Sequence, residues 1–201
     1  LVKPGTSVYL IEKFTLIVSP SSTVFLACTS AAEKKSLMVE EQCLSVGRPH
    51  FINQPDLPST EWEVGRVAGY YERRRLLLAD QATKEQIRRE MPKAEVIHLA
   101  SHGLVNELMP EYSGIVLSTN STDAGLLTDD LLRSGEVSQM KLPRTKLVVL
   151  SACQTGLGRN YRGEGMVGLA RAFLAAGSPQ VVASLQPVDS LATAWLMDKF
   201  H

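Results

Sequence analysis

Two short stretches of this chain bring together residue types that can cut an amide bond. Ser101-His102-Gly103 follows the apolar run VIHLA at 96–100, and Ser151-Ala152-Cys153-Gln154-Thr155-Gly156 follows LVVL at 147–150. A cysteine thiolate is an effective nucleophile, and a nearby imidazole can lower the thiol pKa or accept its proton. The same ring can then protonate a leaving amine. Gly103 leaves space beside the histidine, and its N–H, with that of Cys153, could stabilise a developing oxyanion. The expectation is a shared site, with His102 as general acid and base and Cys153 as nucleophile. No acidic third member is evident; a backbone carbonyl or the substrate could help orient the imidazole. Taken singly, each residue has a plainer reading: a buried structural thiol, and a loop or packing histidine.

The joint reading depends on what carries these residues. The runs at 96–100 and 147–150, with a third at 181–183, are short and almost wholly apolar, as in a parallel sheet buried on both faces. In open α/β sheets, reactive groups collect beyond the carboxyl ends of such strands. If the first two strands are neighbours, His102 and Cys153 meet although distant in sequence. Further strands are expected at 14–18 (FTLIV), 43–47 (CLSVG) and 75–78, with short segments between the main runs at 114–117 and at Leu126-Leu127. A short helix or irregular connector is expected at 21–32. Residues 48–59, with three prolines, read as a loop.

Thr60-Glu61-Trp62-Glu63 has capping-box spacing and predicts a helix start, as does Thr83-Lys84-Glu85-Gln86, opening a helix that ends before Pro92. A capped short helix is expected over 128–132. Another spans 165–176 and stops at Gly177, a good C-cap residue. Strands alternating with helices point to an α/β fold with three layers and a mostly parallel central sheet.

Composition narrows the possibilities. From the 22.0 kDa mass, surface scaling gives a folded area of roughly 9,300 Å² against roughly 32,000 Å² unfolded, enough burial for one substantial core. The 21 Lys and Arg against 21 Asp and Glu provide no global attraction for nucleic acid or an anionic membrane. No apolar run reaches the ~18 residues of a membrane helix, and LVKPGTSVYL does not read as a signal peptide. Three cysteines (28, 43 and 153) would leave one unpaired, so a reducing, cytoplasmic setting is expected. The chain lacks an initial Met, and its last helical pattern stops at His201 without a capping signal. The expectation is one domain over 1–201, cut at both ends from a longer polypeptide.

The wording of several segments adds a resemblance. HLASHG at 98–103, VVLSACQTGLG at 148–158, GEGMVGLARAFLAAGSPQVVASL at 163–185 and the later PVDS resemble the CHAT domain. This is a caspase-like domain often associated with tetratricopeptide repeats and related to caspase- and separase-type cysteine peptidases. YLIEKFTLIVSPS, CLSVGRPHF, LPSTEWEV and DQATKEQI look like the same family, more loosely. The resemblance implies a caspase–hemoglobinase fold and a cysteine endopeptidase acting on protein or peptide through an acyl-enzyme. His102 falls in the histidine–glycine motif and Cys153 after the S-A pair, with Gly103 and Cys153 as oxyanion donors. It also implies a flanking repeat or other interaction domain, and neither metal nor organic cofactor. The alternative is a catalytically inactive or latent regulatory interaction domain on the same fold.

The chain departs from the family pattern where Gln186 follows Ser184-Leu185 in place of a tryptophan, and where Ser190 replaces a second acidic residue. Gln186 and Asp189 are candidates for a substrate pocket, and Asp189 equally for a helix cap. Other features have plainer readings. His98 and His102 have HxxxH spacing without the glutamate of HExxH, so His98 is expected to pack in the sheet. Cys28 and Cys43 read as structural thiols. Gly156, Gly158, Gly163 and Gly165 fit no phosphate loop and are expected to let the chain turn beyond Cys153. Glu164 reads as structural or solvent-facing. Arg73-Arg74-Arg75 reads as an exposed strand edge or an ion-pairing face. Trp62, Tyr70, Tyr71, Trp195 and Met197 read as core or interface residues.

Overall fold

The apolar runs become strands of a single sheet. A computed structural model of the chain describes residues 7–38, 40–51, 54–106, 108–118, 130–154, 164–184 and 188–201, and of 153, 154, 164 and 165 the backbone alone. The strands are β1 (Gln42–Gly47), β2 (Arg73–Leu78), β3 (Val96–Leu104), β4 (Gly114–Val116), β5 (Leu131–Arg133), β6 (Leu147–Gln154) and β7 (Gln180–Ala183). Pairing is parallel along β2-β1-β3-β6-β7. β4 pairs antiparallel with Gly103 and Leu104, beyond the point where β1 leaves β3 at Ala100, and β5 pairs antiparallel with β4. The fold is α/β with a mostly parallel sheet.

Among the described residues, six α-helices connect or flank these strands: α1 (Ser22–Ser36), α2 (Pro58–Gly69), α3 (Lys84–Glu90), α4 (Ser134–Ser138), α5 (Glu164–Ala176) and α6 (Ser190–Phe200). Alternation along a strand sends neighbouring side chains to opposite faces. Cys43 accordingly joins a cluster with Val67 of α2, Val149 of β6 and Met197 of α6. Its neighbour Leu44 joins a larger cluster with Ile87 of α3, Ile97 of β3 and Phe173 of α5. Each fully buried Leu, Ile or Phe stabilises the fold by about 1.5–3 kcal/mol of transfer free energy.

Local signals were sound where the chain satisfies itself locally. Thr83 caps α3 by accepting from the Gln86 N–H, and α5 stops at Gly177, whose φ of +110° suits a residue without Cβ. The arginine run occupies edge strand β2, where Arg73 pairs with Glu40.

Four expectations are corrected. Residues 14–18 form no strand: Ile17 and Val18 are exposed and no described strand lies alongside. Apolar β-formers supply propensity, but a strand also needs a partner for its backbone groups. Helix α2 begins at Pro58, whose fixed φ suits the first helical position, with Leu57 as N-cap. Thr60 is inside it, donating to the Leu57 carbonyl and accepting from the Arg48 N–H. Leu131 and Leu132 belong to β5, because β4 offers them a ladder; the helix follows at Ser134, while 126–129 lie outside the described residues. Finally, Ser101-His102-Gly103 and Ser151–Gln154 do not lie beyond the strand ends but continue β3 and β6. Each of β3 and β6 gives the other a ladder partner through Gly103 and Gln154.

Candidate active site

His102 is the seventh residue of β3 and only 2% exposed. Its register partner is Cys153 of β6, and adjacent strands run about 4.8 Å apart. The two residues singled out from sequence therefore stand side by side, at the carboxyl ends of neighbouring central strands. Gly103 lies between Gln154 of β6 and Ile115 of β4. Ser101 is buried, and its hydroxyl donates to the Val116 carbonyl at 2.5 Å, fastening β4 to β3 just before the histidine.

The imidazole is held from one side. Nε2 lies 2.7 Å from the carbonyl oxygen of Pro55. A carbonyl only accepts, so Nε2 carries the proton and Nδ1 of the neutral ring keeps its lone pair. Nδ1 is buried and has no hydrogen-bond partner among the described residues. The Phe51 ring packs on the imidazole, centroids 4.6 Å apart and planes inclined by 56°. Of the two groups that could orient the imidazole, a backbone carbonyl is the one within hydrogen-bond reach.

His98, four residues earlier on the same strand, has the opposite character. Its Nε2 is 2.8 Å from Glu63 Oε1, both groups fully buried, and its Nδ1 is 3.1 Å from His201 Nε2. His201 Nδ1 lies in turn 2.9 Å from the Tyr71 hydroxyl. Burial, then the neighbouring His98, pushes the His201 pKa down to about 4. His98 packs in the sheet with both nitrogens committed. Among the described residues no group of three or more His, Cys, Asp or Glu could hold a metal ion.

The segment that supports His102 leaves β1 and returns to α2. It frames a cleft of roughly 350 Å³ lined in part by Arg48, His50, Phe51, Gln54 and Asp56. Arg48 binds Asp56 through Nε at 3.1 Å and Nη2 at 2.8 Å, and Glu61 through Nη1 at 2.5 Å. The Arg48 guanidinium holds the Asp56 carboxyl below its ordinary range. Phe51, Pro55, Arg48 and Asp56 were missed in the sequence because a loop has no periodicity to read. The opposite charges of Arg48 and Asp56 at its two ends were the available signal.

Of the remaining candidates, Asp189 is the N-cap of α6: Oδ1 accepts from the Ala192 N–H at 2.8 Å, and the Thr193 hydroxyl donates to its carbonyl at 2.7 Å. Gln186, Gly156, Gly158 and Gly163 lie outside the described residues. Cys43 is fully buried, and burial pushes its thiol up to about 11 despite a contact with the Ser45 hydroxyl. Cys28 is half-buried on α1. Trp62 and Trp195 pack against one another, centroids 5.8 Å apart, both partly exposed.

Comparison with known proteins agrees with the motif reading. The family model described as CHAT domain matches residues 1–201. The chain is 27% identical over 235 aligned positions to Tetratricopeptide repeat protein 28 of Homo sapiens, and 26% identical over 238 to the Mus musculus protein of that name. Each alignment covers 96% of this chain but 9% of the relative, so the chain spans under a tenth of the length of these curated relatives.

Proposed function

We propose that this chain, which belongs to the CHAT domain family, is a cysteine endopeptidase domain with Cys153 as nucleophile and His102 as general base and acid. His102 Nδ1 takes the thiol proton, and the thiolate attacks the scissile carbonyl carbon. The N–H groups of Gly103 and Cys153 stabilise the resulting oxyanion. The imidazolium returns the proton to the amine nitrogen as the C–N bond breaks, leaving a thioester on Cys153. Water, activated by the same nitrogen, releases the acid and restores the thiol.

One observation carries this reading: a buried Nδ1 without a described partner, on a ring whose other nitrogen is spent on the Pro55 carbonyl. A structural histidine satisfies both nitrogens, as His98 does. A lone pair held dry beside the register position of a cysteine is what a thiol deprotonation needs.

The proposal extends to a caspase–hemoglobinase arrangement of layers, a protein or peptide substrate without metal or cofactor, and a cytoplasmic setting that keeps the thiol reduced. It also includes flanking tetratricopeptide repeats, drawing on the names of the two relatives. A second reading, a latent or catalytically silent interaction domain, draws on the 2% exposure of His102. A diverse peptide library separates them, assayed with the protein alone and joined to its flanking repeats. Cleavage lost in Cys153→Ala and in His102→Ala supports the peptidase. Cleavage indifferent to Cys153→Ala removes the nucleophile assignment, and folded protein without Cys153-dependent cleavage in either context supports the second reading.

A further inference from the structure

Arg48 sits in a conformation that its own side chain does not favour. Its φ is +41°, in the left-handed region, and so is that of Ala79 at +44°. The two residues follow paired positions of adjacent strands, Gly47 of β1 and Leu78 of β2, and the Ala79 N–H donates to the Arg48 carbonyl at 3.1 Å. The Arg48 N–H donates to Thr60 Oγ1 at 2.8 Å. A Cβ on Gly47 would stand 2.8 Å from the Thr60 carbonyl oxygen, so β1 leaves the sheet hard against α2. The Ser118 hydroxyl braces the same corner, accepting from the His50 N–H at 2.7 Å and donating to the Ala79 carbonyl at 2.6 Å.

The outcome of this forced exit is the position of the guanidinium. It grips Asp56 with two parallel N–H bonds, a fork that fixes orientation as well as distance. The carbonyl that holds His102 belongs to the peptide joining Pro55 to Asp56, so it shares a rigid plane with the Asp56 nitrogen. Fixing Asp56 fixes that oxygen. The Arg48 and Asp56 side chains are 41% and 56% exposed, and ion pairs so open to solvent add little to stability. Strained backbone is not maintained for a pair that stabilises so weakly.

We infer that Arg48 is a positioning residue for His102: through Asp56 it holds the Pro55 carbonyl against Nε2, and thereby leaves Nδ1 as the nitrogen that takes the thiol proton. The catalytic consequence rests on the peptidase reading above; the choice of tautomer does not.

The test combines ¹⁵N-histidine NMR at neutral pH with steady-state kinetics on a Cys153-dependent peptide. It compares the wild type with Arg48→Met and Asp56→Asn. The wild type is expected to show His102 protonated at Nε2 alone. Arg48→Met and Asp56→Asn should populate both tautomers and lower kcat about 30-fold with KM within about twofold, as for a small misplacement of a reacting group. Asp56→Asn keeps the size and backbone of the native loop, so it decides the matter if Arg48→Met does not fold. A folded variant of either kind with the wild-type tautomer overturns the inference. A tautomer change in a protein that cleaves nothing leaves the positioning role standing and removes the peptidase reading.

Discussion

His102 Nε2 and the carbonyl oxygen of Pro55 are 2.7 Å apart, although 47 residues separate them in the chain. That bond settles which imidazole nitrogen is protonated and ties a central strand to a loop at the edge of a cleft. A strand histidine with one nitrogen anchored and the other dry is a different object from a strand histidine with both anchored, and β3 contains one of each.

The His102 ring also packs against Phe51. Phe51→Ala should lower kcat for Cys153-dependent cleavage about tenfold. An aromatic contact contributes roughly 1 kcal/mol, and the freed ring would also lose its alignment. Phe51→Tyr, which keeps the ring, should retain most activity. Steady-state kinetics on one peptide check this, with far-UV circular dichroism confirming the fold; an unchanged kcat for Phe51→Ala refutes the contact's role.

Glu63→Ala should destabilise the protein by about 2–4 kcal/mol, because it strands the buried His98 imidazole without its partner. For a chain of this size that corresponds to a fall in Tm of roughly 5–15 °C. Glu63→Gln, which can still accept from Nε2, should cost less than half as much. Calorimetry and urea unfolding give the comparison, and equal losses for the two variants would point to packing alone.

The buried position of His201 makes stability depend on pH in a stated direction. Its folded pKa of about 4 lies below the unfolded value near 6.5, so folding favours the neutral ring. The contribution is fully present above about pH 6.5 and is lost as pH falls toward 4, with no further slope from this group below that. Urea midpoints at about pH 7, 5.5 and 4.5 should fall more steeply for the wild type than for His201→Gln. Parallel declines would show that other groups carry the acid sensitivity.

Cys43 should be inert in the native protein, since burial raises its thiol to about 11 and leaves it no solvent contact. Iodoacetamide at about pH 8 should leave Cys43 unmodified until urea unfolds the chain. Peptide mass mapping checks this directly, and modification in the native state would mean that β1 opens locally.

Features satisfied by nearby residues could be read in advance. The Thr83 cap needs only the Gln86 N–H three positions on, and the helix stop at Gly177 needs only a residue tolerant of positive φ. Thr60-Glu61-Trp62-Glu63 carries the same spacing and misled, because its parts were recruited from afar. Thr60 serves the Arg48 N–H, and Glu63 turns inward to His98, 35 positions away. The polar ends of β3 and β6 read as lying beyond the strands for a related reason: a serine or histidine in a strand is tolerated when the neighbouring strand continues, and sequence does not reveal how far a neighbour runs.

His102 and Cys153 as a candidate pair, the family and the buried strands beneath them were legible from residue order alone, because motif wording and apolar runs are local properties. Adjacency in register, the hydrogen bond that sets the His102 tautomer and the contacts of Phe51, Pro55, Arg48 and Asp56 came only with the tertiary structure. Each depends on segments tens of residues apart meeting at the carboxyl edge of the sheet. Strand pairing and loop closure are chosen by the packing of the whole core, which no short window of sequence contains.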